Sequence, residues 1–199
     1  MRAGIWARSV CINEGLELGS MLPIIDVCRD ANIPVLVMNP NYNKDPETQV
    51  TIPHNSTMAE HAVFVWKNYV EPSGFDKISI IAHSAGGGCL SEIIRVFPET
   101  FFTKVHKIAY TDSFVIPRNR LTFKQKVFMF GNAVHYAKSD KPLGTILASD
   151  SNKNTCPIVS AGHPRHEYTT GTSQYEIMGL FGYLDKREAA VNGDKNAKK

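Results

Sequence analysis

Lys77-Ile78-Ser79-Ile80-Ile81-Ala82-His83-Ser84-Ala85-Gly86-Gly87 carries the strongest structural signal in the chain. An apolar run ends in small residues and a helical pattern follows at once, which is typical of a buried parallel strand that turns sharply into a helix. Ser84 stands at the turn between small residues, as the serine of a nucleophile elbow does in the usual pattern Gly-x-Ser-x-Gly. Ala82 takes the first glycine position, one methyl group larger. The sequence therefore predicts an elbow at Ser84.

Strand-like and helix-like segments alternate along the rest of the chain. Besides the strand at 77–83, strands are predicted at 6–12, 34–39, 106–111 and 156–161. Helices are predicted at 18–31, from a cap at Ser56 or Thr57 to the residue before Pro72, and at 87–97, 121–138 and 173–184, with polar loops at 41–55 and 139–155. This alternation predicts an α/β fold with a mostly parallel central sheet and helices on both faces.

Length and composition are those of one ordinary globular domain, predicted over residues 1–185. The chain has 199 residues, of which 43% are hydrophobic and 21% charged, and its formal net charge is +3. Much of that charge lies at 186–199, which is predicted to be a disordered polar tail. Because the net charge is low and no aromatic-basic strand motif occurs, direct nucleic-acid binding is not expected.

The cysteines and the apolar segments bear on location. The four cysteines form no Cys-x-x-Cys pair and lie in or beside apolar runs, as reduced thiols of an intracellular protein do. No apolar stretch approaches the length of a membrane span, and the N-terminus lacks a secretory signal. The expected location is the nucleus, the cytoplasm or both. No metal-ligand spacing or phosphate loop occurs, so neither a metal nor another cofactor is expected.

Three side chains suited to acyl transfer follow predicted strands. Ser84 follows the third strand, Asp112 closes the fourth, and His166 lies just beyond the fifth. The carboxyl ends of parallel strands carry the functional loops of such sheets, and the order Ser, Asp, His is that of α/β-hydrolases. His166 would take the proton of Ser84, and Asp112 would orient the imidazole. The sequence therefore predicts a catalytic triad of Ser84, Asp112 and His166.

An oxyanion intermediate would need preorganised hydrogen-bond donors near the serine. The backbone N–H of Ala85 is the natural first donor. A second donor is expected from the turn Asn13-Glu14-Gly15, which follows the first predicted strand.

Other assignments of these roles remain open from the residues alone. Asp112 could instead cap a helix beginning at Ser113, and Asp140 is the alternative acid. His163 competes with His166 for the role of base. His83 directly precedes Ser84, so its side chain is expected to point away from the serine and to serve packing or hydrogen bonding, while His135 is expected at the surface or in a loop.

The segment from Phe114 to Thr155 would cover the site as a lid. The apolar stripe of its predicted helix suggests a hydrophobic acyl group. Packing of that stripe on the sheet is the alternative, and the one that we favour.

Short motifs over nearly the whole chain are similar to those of a known family. They are Trp6-Ala7-Arg8, Cys11-Ile12-Asn13-Glu14 with Leu16 and Gly19-Ser20, Val35-Leu36-Val37-Met38-Asn39-Pro40-Asn41, Glu60-His61-Ala62 with Val65-Trp66, Ala82-His83-Ser84 with Gly86-Gly87, Thr111-Asp112-Ser113, and Ser160-Ala161-Gly162 with Arg165-His166-Glu167. In this combination the chain resembles the Argonaute-binding (Arb2-type) domain family. That family includes cotranscriptional regulators of animals, a small-RNA chaperone subunit and the C-terminal domain of some fungal histone deacetylases.

The resemblance implies an α/β-hydrolase-like fold with Ser84 at the nucleophile position. The pattern Arg165-His166-Glu167 favours His166 over His163 as the base. It also implies partners among Argonaute, chromatin and splicing proteins. Family members usually have sequence before the first matched strand, so the sheet is expected to lack N-terminal strands.

Two functions follow from these patterns. The first is a serine hydrolase of the carboxylic-ester type, acting on a small acyl substrate through Ser84, Asp112 and His166. The alternative is a scaffold with an idle triad that binds Argonaute or chromatin-associated proteins in small-RNA silencing or alternative splicing. Whether the protein is an enzyme is left open by the sequence.

Overall fold

A five-stranded sheet runs through the centre of the protein in the computed structural model, which describes residues 3–187. Its strands are β1 (Ile78–His83), β2 (Val105–Thr111), β3 (Ala133–Ala137), β4 (Ile146–Ala148) and β5 (Ile158–Ser160), in the order β1-β2-β3-β5-β4. The pairs β1–β2, β2–β3 and β3–β5 are parallel, and only β4 pairs antiparallel, with β5. The predicted mostly parallel sheet is confirmed.

Helices cover both faces of this sheet, as predicted. They are α1 (Arg8–Glu14), α2 (Leu16–Gly19), α3 (Leu22–Asp30), α4 (Met58–Val65), α5 (Gly86–Val96), α6 (Pro98–Lys104), α7 (Phe123–Asn132) and α8 (Thr169–Leu180). Because side chains alternate along a strand, Ile108 and Tyr110 of β2 join a core with α4 to α7, whereas Ala109 joins a core with α3 and α8. The sheet thus lies between two hydrophobic layers.

The start of α4 follows the sequence signal. Thr57 is the N-cap, and its side-chain oxygen accepts a hydrogen bond from the backbone N–H of Glu60 at 3.0 Å. The backbone N–H of Ser56 donates to the Glu60 carboxylate at 2.9 Å. The helix continues as a π-helical turn over Trp66–Val70. None of the helices in the described part of the chain is long and apolar enough to cross a membrane.

The helix predicted at 121–138 is wrong in its second half. Thr122 and Gln125 form a capping box that starts α7, but α7 ends at Asn132 and the chain continues as β3. The short apolar run in β3 fits a helix stripe and a buried strand equally well. It becomes a strand because β2 and β5 flank it on both sides. As a result, Asp112 and His166 follow strands that are not neighbours.

The strand predicted at 6–12 is also wrong, because most of these residues form α1. In α1, Val10 is fully buried and packs with Ala7 and Tyr168, while Ile12 is 78% exposed. A strand would need a pairing partner, and in the described part of the chain no bridge involves residues 6–12; the nearest one joins Ile5 to Ser20. The helix predicted at 18–31 is split, with α2 ending at Gly19 and α3 beginning at Leu22.

The predicted strand at 34–39 does not join the sheet. Its backbone is free of regular structure, Val35 and Leu36 are exposed, and Pro34 has no N–H to donate. Within the described residues β1 is therefore an edge strand of the sheet.

Smaller differences complete the comparison with the predicted elements. The predicted loop at 139–155 contains β4, α6 was missed, and α8 begins at Thr169 rather than Ser173. The predicted tail at 186–199 lies, apart from its first two residues, outside the described part of the chain.

Candidate active site

Ser84 occupies the turn between β1 and α5, with backbone φ of +54°. Positive φ is uncommon for residues with a Cβ and costs energy, so the surrounding structure must hold it in place. The backbone N–H of Ser84 donates to the carbonyl of Thr111 at 3.2 Å. The carbonyl of Ser84 accepts from the Ser113 hydroxyl at 2.6 Å and from the Phe114 N–H at 3.3 Å. The end of β2 thus fixes the turn on both sides of Ser84.

Ser113 is a residue whose importance the sequence did not reveal. Its hydroxyl donates to the Ser84 carbonyl and accepts from the Gly87 N–H at 3.0 Å, so it joins the turn to the first residues of α5. The only feature of the sequence that pointed to Ser113 is that it directly follows Asp112 in the chain. No spacing rule links it to Ser84 or Gly87.

His135 was predicted at the surface or in a loop, and this prediction is wrong. It lies within β3, and its ring meets the edge of Tyr110 with 6.4 Å between ring centroids. Its Nε2 accepts a hydrogen bond from the backbone N–H of Ser113 at 3.2 Å. Burial lowers the pKa of His135, which keeps the imidazole neutral and able to accept. A half-buried acceptor therefore supports Ser113, which holds the turn at Ser84.

Gly87 is the glycine of the triple-glycine run that close packing requires. A Cβ at this position would lie 1.8 Å from the carbonyl oxygen of Phe114 and 2.5 Å from the hydroxyl of Ser113. At Gly86 the nearest atom would be the Ala82 methyl at 3.8 Å, an ordinary contact, and at Gly88 nothing lies within 4 Å. The close approach of α5 to the end of β2 therefore depends on Gly87 alone among the three.

Asp112 and His166 are brought together although their strands are separated by β3. The Nδ1 atom of His166 lies 2.6 Å from Oδ2 of Asp112. Because a carboxylate only accepts, Nδ1 carries the proton, and in the neutral ring Nε2 is then the basic nitrogen. Asp112 has φ of +40°, and its backbone N–H donates to the carbonyl of Tyr136 at 2.8 Å. Two residues of positive φ thus follow the neighbouring strands β1 and β2.

The surroundings of Asp112 keep its carboxyl ionised. Burial by itself would raise its pKa, but the hydrogen bond from His166 and the backbone N–H and charge of Lys138 outweigh that effect, and the pKa falls below its ordinary value. Asp140, the alternative acid, is exposed. The capping role of Asp112 is not seen, because no helix begins at Ser113.

His83 lies against the face of His166. Their ring centroids are 4.9 Å apart, with 26° between the ring planes, and Trp6 meets His83 edge-on at 6.1 Å. Nδ1 of His83 lies 3.0 Å from the Thr111 carbonyl oxygen, so this nitrogen donates. Burial and the charge of His166 lower the pKa of His83, which favours its neutral form. A neutral ring can support His166 without opposing its protonation.

Ser84 and His166 lie close in the fold, since His166 stacks on the residue next to Ser84. No hydrogen bond joins the Ser84 hydroxyl to His166 anywhere within residues 3–187. Of the predicted triad, Asp112 and His166 are thus in contact, and the contact of Ser84 with the imidazole stays a prediction. Hydroxyl–imidazole contacts are often long in unliganded enzymes and shorten when substrate binds.

His163, the alternative candidate for the base, contacts Tyr168 and Arg165. Its ring stacks on Tyr168 with 4.1 Å between centroids, and its Nδ1 accepts from the backbone N–H of Arg165 at 3.1 Å. The side chain of Arg165 pairs with Glu167 and lies over the same Tyr168 ring. His163 therefore supports the turn that carries His166.

The expected oxyanion donors lie in different structural settings, and the setting of residues 13–15 differs from the one predicted. Ala85 directly precedes α5, at a helix end where backbone N–H groups lack intrahelical partners. Asn13 and Glu14 end the helix α1 rather than following a strand, and Gly15 links α1 to α2. Glu14 accepts a hydrogen bond from the Tyr168 hydroxyl at 3.2 Å, whereas Asn13 and Gly15 are exposed. Because α1 replaces the predicted strand, this turn ties the N-terminal helices to the His166 segment.

No group of three His, Cys, Asp or Glu side chains in the described part of the chain is arranged to hold a metal ion.

Comparison with known proteins gives a consistent picture. The model of the Arb2 domain family matches residues 1–143, which include Ser84 and Asp112 but not His166. The cotranscriptional regulator ARB2A homolog of Xenopus tropicalis is 29% identical over 91% of this chain, and cotranscriptional regulator ARB2A of Mus musculus is 27% identical over 99%. A FAM172 family protein homolog of Caenorhabditis elegans is 32% identical over 69% of the chain.

This chain spans only part of those relatives. It covers 55% of the Xenopus protein, 59% of the mouse protein and 43% of the Caenorhabditis protein. No solved structure matches the chain.

Proposed function

This chain belongs to the Arb2 domain family, and from that premise we propose that it is a regulatory protein that binds protein partners during the cotranscriptional control of RNA. The observation that carries this proposal is that several relatives, matched over about nine-tenths of the chain or more, are named cotranscriptional regulators. A nuclear location follows from such a role. The partner classes that fit the family are Argonaute proteins and chromatin-associated or splicing proteins.

The partner-binding role predicts an interaction that does not depend on the Ser84 hydroxyl. The purified chain is expected to bind an Argonaute protein of its own organism saturably in biolayer interferometry, and Ser84→Ala is expected to bind within about twofold of wild type. The substitution removes one oxygen from a partly buried site, so it leaves the outer surface unchanged.

Two further results bear on the same proposal. Binding that vanishes in Ser84→Ala would contradict a simple scaffold. The proposal fails if Argonaute does not bind and the cellular protein is also absent from cross-linked, transcribing chromatin.

A second function, hydrolysis of a small carboxylic ester, is favoured by one specific observation. The candidate nucleophile Ser84 sits at φ of +54°, and the imidazole stacked on its neighbour is hydrogen-bonded to the ionised Asp112. Strained serines and carboxylate-oriented histidines are the parts that nucleophilic catalysis requires. In this proposal Ser84 attacks the acyl carbon, His166 Nε2 takes the hydroxyl proton, and Asp112 stabilises the imidazolium. The imidazolium then gives that proton to the alcohol as the ester bond breaks, and a water activated by His166 attacks the acyl-enzyme to release the acid and restore Ser84.

The hydrolase proposal predicts that Ser84 reacts with a fluorophosphonate probe. Labelling is expected to be stoichiometric and to disappear in Ser84→Ala, with the modified peptide identified by mass spectrometry. Ser151→Ala, in an exposed turn, is the control and is expected to label like wild type. A folded wild-type protein that stays unlabelled would contradict the hydrolase proposal, and only the partner-binding role would remain.

A further inference from the structure

A cavity of about 390 Å³ lies beside the elbow, between the chain after β2 and the chain that leads into β5. Its volume is in the range of small-molecule sites, roughly 300–1,000 Å³. Ile116, Thr155 and Cys156 are buried in its wall, and Val115 and Ile158 extend the apolar lining. The Thr155 hydroxyl already donates a hydrogen bond to the Ile116 carbonyl at 2.9 Å, so it does not need a hydrogen-bond acceptor on a ligand. The interior therefore suits an apolar group.

The charged residues of the cavity are all cationic. Arg118 and Lys153 line it, and no Asp or Glu does. Arg118 makes no ion pair with any carboxylate of residues 3–187, and Lys153 has only a contact with Asp150, 3.6 Å long and largely exposed. Because Lys153 is exposed while Cys156 is buried, the positive charge lies on the solvent side and the apolar wall inside.

We propose that this cavity binds a small aliphatic carboxylate, with its hydrocarbon chain against Val115, Ile116 and Ile158 and its carboxylate between Arg118 and Lys153. An unpaired guanidinium favours a carboxylate, which it binds through two parallel hydrogen bonds. Burial of the chain supplies affinity, and the charge at the opening sets the orientation. Neither partner binding nor ester hydrolysis is needed for this inference, which stands on the cavity itself.

The position of the cavity would let such a ligand influence the elbow. Ser113 lines the cavity, and its hydroxyl holds the Ser84 carbonyl. His135 also lines it and accepts from the Ser113 backbone. A ligand that fills the space beside these two residues restricts the turn that carries Ser84.

Octanoate is a suitable probe, with octanamide as its uncharged match. Isothermal titration of the whole chain is expected to show saturable octanoate binding, about tenfold or more tighter than octanamide, as a charge-assisted hydrogen bond implies. The double variant Arg118→Ala/Lys153→Ala is expected to lose about tenfold in octanoate affinity and to bind both probes alike. Amide NMR shifts in wild type are expected to centre on Thr155 and Cys156.

The control for general surface charge is Arg120→Ala/Lys124→Ala, which removes two exposed cations that do not line the cavity. This control is expected to bind octanoate like wild type. The proposal is overturned if octanoate does not saturate, if octanamide binds equally to wild type, if the control loses as much affinity as the cavity variant, or if the shifts map elsewhere.

Discussion

Replacing Gly87 by alanine is expected to lower the free energy of unfolding by about 3–5 kcal/mol, one of the largest effects available to a single methyl group here. The added Cβ would lie 1.8 Å from the Phe114 carbonyl oxygen, which belongs to backbone and cannot rotate away. The chain at Ser113 and Phe114 must therefore retreat from α5. That movement also breaks the hydrogen bonds of Ser113 with Gly87 and Ser84, each worth about 1 kcal/mol.

Gly88→Ala is the matched control for this prediction. Gly88 is an exposed position of the same helix with nothing within 4 Å of its Cβ direction, so alanine is expected to stabilise by about 0.5–1 kcal/mol through helix propensity. Urea unfolding and thermal unfolding, each followed by circular dichroism, measure both variants. For a chain of this size the Gly87 variant should melt at least about 6 °C lower than wild type. Equal transition midpoints in the two variants would show that α5 does not approach β2 as closely as described.

The second large effect is expected at Asp112 if the protein is a hydrolase. Asp112→Asn is predicted to slow fluorophosphonate labelling of Ser84 by about 10³–10⁴-fold. An amide N–H can donate to Nδ1 of His166, which would place the ring proton on Nε2 and remove the base. Asparagine tolerates positive φ, so the backbone at +40° is not the cause of the loss.

Asp140→Asn separates the two acids that the sequence offered. Asp140 is exposed, and its substitution is expected to leave the labelling rate within about twofold of wild type. Thermal unfolding of both variants shows whether the fold is retained. A rate that falls only in the Asp140 variant, or equally in both, would remove Asp112 from the proposed role.

Local signals predicted much of the fold. The apolar run from Ile78 ending in His83-Ser84 reads directly as a strand and an elbow, because burial on both faces and a sharp turn each restrict which residues can occur. The Thr57 cap with Glu60 was found for the same reason. These features depend on neighbours a few residues apart.

The predicted secondary structure is wrong where contacts with residues distant in the chain decide between a strand and another conformation. Residues 133–137 became β3 only because β2 and β5 offer hydrogen bonds on both sides. Residues 34–39 have strand-like composition but find no partner, and residues 6–12 bury Val10 against Tyr168 as a helix instead. Propensity alone does not settle such segments, since a strand is defined by the chain beside it.

The candidate site divides in the same way. Ser84, Asp112 and His166 could be named from residue type and position after a strand. The contacts between these residues could not be predicted from the sequence. They are the hydrogen bond of His166 with Asp112, the stacking of His83 on His166 and the hydrogen bonds of Ser113 with Ser84 and His135, and each joins residues at least 22 positions apart.

By itself the sequence determined the strand β1, the sharp turn at Ser84 with the helix after it, and the membership of the family, since all three are written in local pattern and motif. Tertiary structure alone decided which acid reaches the imidazole, which glycine must stay a glycine and where a cavity opens. Those outcomes depend on distances of a few ångströms between segments far apart in the chain, and the order of residues does not encode such distances locally.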